Sequence, residues 1–192
     1  MRKATVTVKG ISPLSWSRFV DTAQLEGEDK QAMEERIWKD RFWCDRAGTL
    51  LVPQMAIKNS LVDAAQYLGE KIAGRGNKTW TGKFAAGILV LDPMSLGVTK
   101  DALEAEWLMV PGTPGKGKRG TGSRVKKCFP RLTEWGGAAE VYIVDEVITE
   151  KVFTLYMETV GKFVGWGRFR PANRGFYGRF EVVSVKFQNA NS

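Results

Sequence analysis

Hydrophobic and polar positions along the chain follow two periods, and together these periods predict six main elements. Residues 4–11 alternate between threonine or lysine and apolar residues, which predicts a half-buried strand. Apolar residues recur at three- and four-residue spacing across 54–70 and again across 149–163, which predicts two amphipathic helices. Three further strands are predicted from apolar and β-branched runs at 84–91, 138–144 and 180–187.

The order strand, helix, strand, strand, helix, strand predicts the fold class. It is that of an α+β, ferredoxin-like βαββαβ domain with an antiparallel sheet and two helices on one face. We expect one such domain over residues 1–192, with insertions at about 12–48 and 93–131. Within these insertions, 29–42 has the pattern of a charged helix, and 111–130 has that of a long loop or flexible hairpin.

Charge is distributed unevenly along this predicted domain. The formal net charge is +8, yet three acid-free segments hold 16 of the 29 Lys and Arg residues. These segments are 71–83, 112–131 and 161–180, and the rest of the chain has a net charge of −8. An acidic body with separate cationic segments is the pattern expected of a protein that binds a polyanion.

The segment 161–180, called the glycine-rich loop below, combines three features of nucleic-acid binding. It contains five glycines, five Lys or Arg residues, six aromatic residues and no acid. Cations neutralise phosphates and aromatic faces stack on unpaired bases. We interpret its glycines as positions where the backbone approaches a phosphate chain closely. The alternative is a cationic surface hairpin with ordinary aromatic packing.

Candidate nucleic-acid contacts come from the glycine-rich loop and from three other places in the chain. Trp16 and Arg18 follow the first strand, in a loop that can lie near the loop after the second helix; the alternative for Trp16 is a core position. Lys58 lies near the positive end of the first helix, where an anion is favoured, or is simply solvated. Segment 112–131 is a cationic arm that closes over a strand, or a disordered loop. The full set of candidates is Trp16, Arg18, Lys58, Lys116, Lys118, Arg119, Arg124, Lys126, Lys127, Lys162, Trp166, Arg168, Phe169, Arg170, Arg174, Phe176, Tyr177 and Arg179.

Two residue types are scarce or missing, and this limits the catalytic and metal-binding mechanisms that the chain can use. The chain has no histidine, which excludes Ser-His-Asp and Cys-His nucleophiles and histidine acid–base catalysis. Its two cysteines are too few for a disulfide framework or a four-ligand zinc site. Asp92, Asp145 and Glu146 fall at predicted strand ends, but they lack the spacing of a two-metal nuclease site, so we assign them turn and cap roles. We expect no enzyme activity, no metal and no cofactor.

Two glycine motifs in the arm do not change this picture. Residues 115–120 match G-x-G-x-x-G, but no apolar helix follows, as a dinucleotide site requires. Residues 112–118 fit most of a phosphate-binding loop, but Arg119 stands where a magnesium-binding Ser or Thr belongs.

The chain also lacks a run of about 18 apolar residues, and its first residues enter a strand directly. We therefore expect no membrane span, no signal peptide and a cytoplasmic location.

Two motifs support a resemblance to a known family. A helix, then the glycine-rich run 165–179, then a last strand resembles the RAMP superfamily, the RNA-binding proteins of CRISPR effector complexes. Residues 51–61, with Pro53 before the predicted helix, are similar to the first helix of the backbone subunits in that superfamily. The resemblance implies a palm that holds nucleic acid and a thumb-like arm at 112–131. RNA-cleaving members often use a histidine or a thumb aspartate. This chain has no histidine, and its segment 112–131 has no acidic residue. The resemblance therefore implies that this protein binds nucleic acid, and it does not imply cleavage.

The sequence is also similar to uncharacterised proteins encoded by tailed bacteriophages, which implies a bacterial host cell. The first hypothesis is therefore a non-enzymatic, sequence-tolerant protein that binds single-stranded DNA or RNA. We expect it to form homo-oligomers when bound, with a filament along the strand as one form. The alternatives are a phage protein that inhibits a host nucleic-acid machine, a CRISPR-type RNA-backbone subunit, and a metal-dependent nuclease.

Overall fold

The computed structural model describes residues 1–111 and 124–189. In these ranges the chain forms nine strands and four α-helices, with short 3₁₀ turns between some of them. In chain order they are β1 (Arg2–Gly10), β2 (Leu14–Ser15), α1 (Lys30–Ile37), β3 (Thr49–Val52), α2 (Gln54–Leu68), α3 (Trp80–Gly87), β4 (Ile88–Leu89), β5 (Met94–Thr99), β6 (Glu104–Pro111), β7 (Arg124–Leu132), β8 (Gly136–Ile143), α4 (Glu150–Thr159) and β9 (Phe180–Asn189). None of the helices in the described ranges is long and apolar enough to cross a membrane.

The main sheet has four antiparallel strands in the order β4-β8-β1-β9. Its central strand β1 shows the alternation that the sequence predicts. Ala4, Val6 and Val8 are buried in the core, whereas Thr5 and Thr7 between them are only half-buried. The fold is thus mixed α/β with antiparallel sheets, as expected at that level.

The two predicted helices α2 and α4 pack against this sheet, and local signals set their ends. Pro53 precedes the first turn of α2, and Gly69 ends the helix in the left-handed conformation at φ 61°. The apolar stripe of α2 is buried in the same core as the sheet. Thr149 caps α4, because its hydroxyl accepts the N–H of Val152 at 3.3 Å. Both helix predictions are confirmed.

The two segments expected as insertions pair with each other. β2 pairs with β7, and β7 pairs with β6 along its length, which gives a three-stranded sheet in the order β2-β7-β6. The helix predicted at 29–42 is present as α1 and the 3₁₀ turn that follows it. The Glu34 carboxylate of α1 accepts the Cys128 N–H of β7 at 3.1 Å, so the helix lies against this sheet.

One prediction was wrong about element type. Residues 84–91 do not form one strand: Phe84 belongs to α3, and only Ile88 and Leu89 extend as β4. The Phe84 ring packs 4.6 Å from the ring of Tyr156, so the apolar run fills a helix face; short apolar runs do not distinguish helix from strand. Residues 124–130 lie in the segment predicted as a long loop or flexible hairpin, and there β7 pairs antiparallel with β6, which matches the hairpin alternative. Strand β5 was not predicted.

Candidate nucleic-acid interface

The glycine-rich loop begins where α4 changes into a single π-helical turn at Val160–Val164. The Gly165 N–H donates to the Val160 carbonyl at 2.7 Å and closes this turn. Any side chain at Gly161 would collide with the carbonyl of Phe180, so this position must be glycine. The turn leaves Lys162 and Phe163 at the surface while Val160 and Val164 stay buried.

The loop then folds back on itself, and this explains its glycines. The Trp166 N–H donates to Gly178 at 3.0 Å, and the Tyr177 N–H donates to Phe169 at 3.0 Å. A Cβ at Gly175 or Gly178 would collide with the facing backbone, and Gly178 also has a φ of 68°. Our interpretation of the glycines as backbone access to a phosphate chain was therefore wrong here: they let the two halves of the loop pack together.

The inner side of the loop, which we define as Trp166, Arg168 and Tyr177, faces the protein. Trp166 is 0% exposed, packs at a tilt with its ring centroid 4.2 Å from that of Phe180, and donates from Nε1 to Ser60 Oγ at 2.9 Å. Tyr177 is buried, and its hydroxyl donates to Glu106. These two aromatic rings are core residues, and the expectation that they stack on bases was wrong.

Arg168 is held inside by an ion pair and two aromatic rings. Its guanidinium contacts the Glu106 carboxylate and lies 3.9 Å from the Phe129 ring centroid and 4.3 Å from that of Phe169. Burial lowers the pKa of Arg168, while the Glu106 carboxylate acts in the opposite direction. Only 11% of the Arg168 side chain is exposed, so this residue stabilises the conformation of the loop. The expected contact between Arg168 and a phosphate is therefore not supported.

An exposed aromatic pair stands where α2 meets the glycine-rich loop. The rings of Tyr67 and Phe163 stack with centroids 5.2 Å apart at 18°, and they are 60% and 46% exposed. We call this pair the aromatic shelf. It lines a cavity of about 510 Å³ that Arg170 also lines, and the Arg170 guanidinium pairs with Asp63 of α2 at 3.1 Å. The shelf thus presents aromatic faces beside a cation.

The outer side of the loop, which we define as Lys162, Phe163, Phe169, Arg174 and Phe176, is at the surface. Phe169 and Phe176 are 45% and 61% exposed, and Lys162 and Arg174 are also exposed. Both Phe169 and Arg174 have positive φ, at 53° and 63°, which is uncommon for residues with a side chain. Arg179 is half-buried, and its guanidinium donates to the Lys162 carbonyl, so it braces the loop from beneath.

The loop after β1 lies against the glycine-rich loop, as the sequence predicted. The Arg168 N–H donates to Ser15 at 2.7 Å, and the Gly178 N–H donates to Pro13 at 2.8 Å. Trp16 is half-buried and packs edge-on against Phe42 at 6.5 Å, so it is partly a core residue.

Arg18, predicted in the loop after β1, and Lys58, predicted near the start of the first helix, are both half-buried. The Arg18 guanidinium lies 5.1 Å from the centroid of the Trp43 ring. Lys58 lies on α2, in its second turn.

A second group of predicted cations lies on the β6–β7 hairpin. Arg124 and Lys126 are exposed, and Lys127 is half-buried. The Lys126 ammonium lies 4.6 Å from the centroid of the Trp107 ring on the paired strand. Lys116, Lys118 and Arg119 fall outside the described residues.

The remaining chemistry candidates have structural roles. Asp145 pairs with Lys83 at 2.7 Å and accepts the Val147 N–H at 3.0 Å, which confirms its assignment to a turn. Burial raises the pKa of the Cys128 thiol to about 11, and both cysteines are free. Over 1–111 and 124–189 there is no group of three or more potential metal-ligating side chains.

Sequence reasoning missed part of this candidate interface. Tyr67 lies off the apolar stripe of α2, and an aromatic residue on the polar face of a helix is a signal that could have identified it. Trp43 left no such signal, because it lies in an irregular segment, and Trp107 lies in strand β6, where an aromatic residue is ordinary. Phe163 was assigned to helix packing, and only the π-helical turn shows that it points outward.

Comparisons with known proteins show a likeness of fold. No protein-family model matches the chain, and neither does any curated protein. A cryo-EM structure of the type III-B Cmr-beta bound to cognate target RNA matches with a TM-score of 0.62 at 12% identity, over 98% of this chain and 61% of the other. The crystal structure of Cmr6 from Pyrococcus furiosus matches with a TM-score of 0.52 at 14% identity, over 95% and 99% of the two chains.

The match spans less than two thirds of the length of the corresponding chain in the Cmr-beta structure. At such identities the likeness concerns the fold alone: this chain shares the fold of these two structures.

Proposed function

We propose that this protein binds single-stranded nucleic acid without sequence preference and without catalysis. In this proposal the four-stranded sheet with α2 and α4 is a ferredoxin-like palm, because β1, β4, β8 and β9 have the strand order of a βαββαβ core. The β6–β7 hairpin, with the residues between its strands, is the thumb-like arm. Several copies bind along one strand.

The aromatic shelf is the observation that carries the proposal. Two stacked, exposed rings line the same cavity as Arg170, and the exposed Lys162 is next to Phe163 in the chain, so base stacking and phosphate neutralisation are both available here. A purely structural pair would be expected to bury its rings, because each exposed ring loses hydrophobic stabilisation. Arg174, Phe169 and Phe176 extend the same chemistry along the outer side of the loop.

A CRISPR-type subunit is the second candidate, and the fold favours it. One of the similar structures is that of a Cmr-beta assembly bound to cognate target RNA. A subunit of this kind binds RNA as one part of a larger complex, so it would bind a free oligonucleotide only weakly until its neighbours were present.

Fluorescence anisotropy with labelled single-stranded RNA, single-stranded DNA and duplex tests the proposal. If about six phosphates are neutralised, the slope of log affinity against log salt on single strands is about −4. An affinity that is flat from low to moderate salt would contradict the proposal. Incubation with magnesium checks for cleavage products, and electron microscopy of the bound species checks for filaments. Weak oligonucleotide binding with a stoichiometric complex to a host protein would favour the inhibitor alternative.

A further inference from the structure

A second cavity, of about 520 Å³, lies beside the N-terminal half of α2. The Asp63–Arg170 pair lines both this cavity and the one at the aromatic shelf. Two indoles, from Trp16 and Trp43, line it together with Met55, which is 53% exposed. An apolar, aromatic lining with a few polar groups is typical of sites that bind small planar molecules.

Two of the residues that line this cavity carry hydrogen-bond donors without an acceptor. Trp16 Nε1 and Arg170 Nε are both buried atoms, and neither has a hydrogen-bond partner among the described residues. A buried donor without a partner is costly, and in native proteins it calls for an explanation such as a functional role or a bound water or ion. Asn59 also lines the cavity and supplies both a donor and an acceptor.

A cation adjoins the same cavity. The Arg18 guanidinium lies 5.1 Å from the centroid of the Trp43 ring, and Arg170 lines the cavity itself. A ligand with an aromatic ring, hydrogen-bond acceptors on that ring and an attached phosphate therefore matches the lining. Uracil, cytosine and guanine carry such acceptors as carbonyl oxygens.

We infer that this cavity is a binding site for one unpaired nucleobase. The ring stacks against the indoles of Trp16 and Trp43, and a small rotation of the Trp16 and Arg170 side chains brings Trp16 Nε1 and Arg170 Nε to its carbonyl oxygens. The inference rests on the proposed function, because the strand that crosses the aromatic shelf is the one that supplies the base. A free nucleotide has the same chemistry, and the experiment separates the two sources.

The test compares strands with and without bases. Anisotropy measures the affinity of the full chain for a labelled 12-nucleotide oligouridylate and for an abasic sugar–phosphate strand of equal length. Two variants change the cavity: Trp43→Ala removes a stacking ring, and Trp16→Phe keeps a ring but removes the donor. Trp38→Phe is the matched control, because Trp38 is a half-buried indole that does not line this cavity. Thermal melting checks that every variant is folded.

The inference predicts that the wild-type chain binds oligouridylate roughly tenfold more tightly than the abasic strand. Each cavity variant removes most of this difference and leaves the abasic affinity unchanged, whereas Trp38→Phe preserves it. Competition by uridine monophosphate at low concentration assigns the site to a free nucleotide, and competition by oligouridylate alone assigns it to the strand.

Equal binding of both strands by the wild-type chain overturns the base site while the proposed function stands on its phosphate contacts. Equal losses on both strands in the cavity variants also overturn it. Binding to neither strand contradicts the proposed function itself, so the two failures are distinguishable.

Discussion

On the inner side of the glycine-rich loop Trp166 is 0% exposed, whereas on the outer side Phe163 keeps 46% of its surface exposed. The two residues are three positions apart in the same segment. The arginines differ in the same way: Arg168 is paired with Glu106 between aromatic rings, while Arg174 is exposed. The loop's single composition therefore serves two purposes, which are anchoring on one side and an accessible surface on the other.

This difference shows why amino-acid composition overestimates the number of residues available for binding. A cationic, aromatic segment must first hold itself against the body of the protein, and that anchoring uses the same residue types that bind nucleic acid. Substitutions on the inner side are thus expected to change stability, and substitutions on the outer side to change affinity. The predictions below test that separation, starting with the largest effect.

Trp166→Ala is expected to lower the free energy of unfolding by about 3–5 kcal/mol. The substitution empties a fully buried site and removes the ring that packs against Phe180 and Trp135. It also leaves Ser60 without the Nε1 donor. Urea denaturation measures the change, and Phe176→Ala, on the exposed side, serves as the control with little loss. A Trp166→Ala protein as stable as wild type, with lower affinity, would show that the indole serves binding after all.

Arg168→Ala is expected to cost about 2–3 kcal/mol of stability. Its removal leaves the Glu106 carboxylate partly buried, with Tyr177 as its remaining hydrogen-bond partner. The double variant Arg168→Met with Glu106→Gln should recover much of the loss, because no charge is then left uncompensated. Denaturation of the single and double variants checks this, and equal stability losses in both would argue against the ion pair as the cause.

Some of this division follows from the sequence, and some does not. Helices α2 and α4 were predictable, because periodicity and caps are local signals: Pro53, Gly69 and Thr149 mark their ends. The contact between the loop after β1 and the glycine-rich loop was predictable from element order alone. Such features depend on residues near each other in the chain or on topology.

The side on which each loop residue faces was not predictable. Residues 164–180 have no helical or strand period, and the helical period that ends at Phe163 assigns this residue to the packed side, so the sequence gives no correct separation of Trp166 from Phe163. Its direction is fixed by distant contacts, such as Trp166 with Ser60 and Arg168 with Glu106. The short run at 84–91 failed for a related reason, since the packing of Phe84 against Tyr156 decides its helical form.

Phe163→Ala is expected to weaken binding to single strands roughly tenfold with little change in stability. The ring is exposed and stacks on Tyr67, so its loss removes half of the aromatic shelf. Leu155→Ala is the control, because Leu155 on α4 is exposed to a similar degree, at 44%. Anisotropy and thermal melting are measured for both variants, and a loss of stability without a loss of affinity would place Phe163 with the inner side.

Tyr177→Phe is expected to have the smallest effect, about 1 kcal/mol, and one that depends on pH. Burial and the Glu106 carboxylate raise the pKa of Tyr177 above its usual value of about 10. The neutral phenol therefore stabilises the fold fully below pH 10, and this contribution is lost as pH rises through the raised pKa.

Urea denaturation of both proteins between about pH 8 and 11 measures the effect. The advantage of wild type over Tyr177→Phe should be constant up to about pH 10 and shrink above it. The pKa of Tyr156 is raised as well, but this residue is common to both proteins, so their difference isolates Tyr177. A stability advantage that stays constant to pH 11 would mean that the Tyr177 hydroxyl is solvated. Tyr177 would then belong to the outer side of the loop rather than to the inner side.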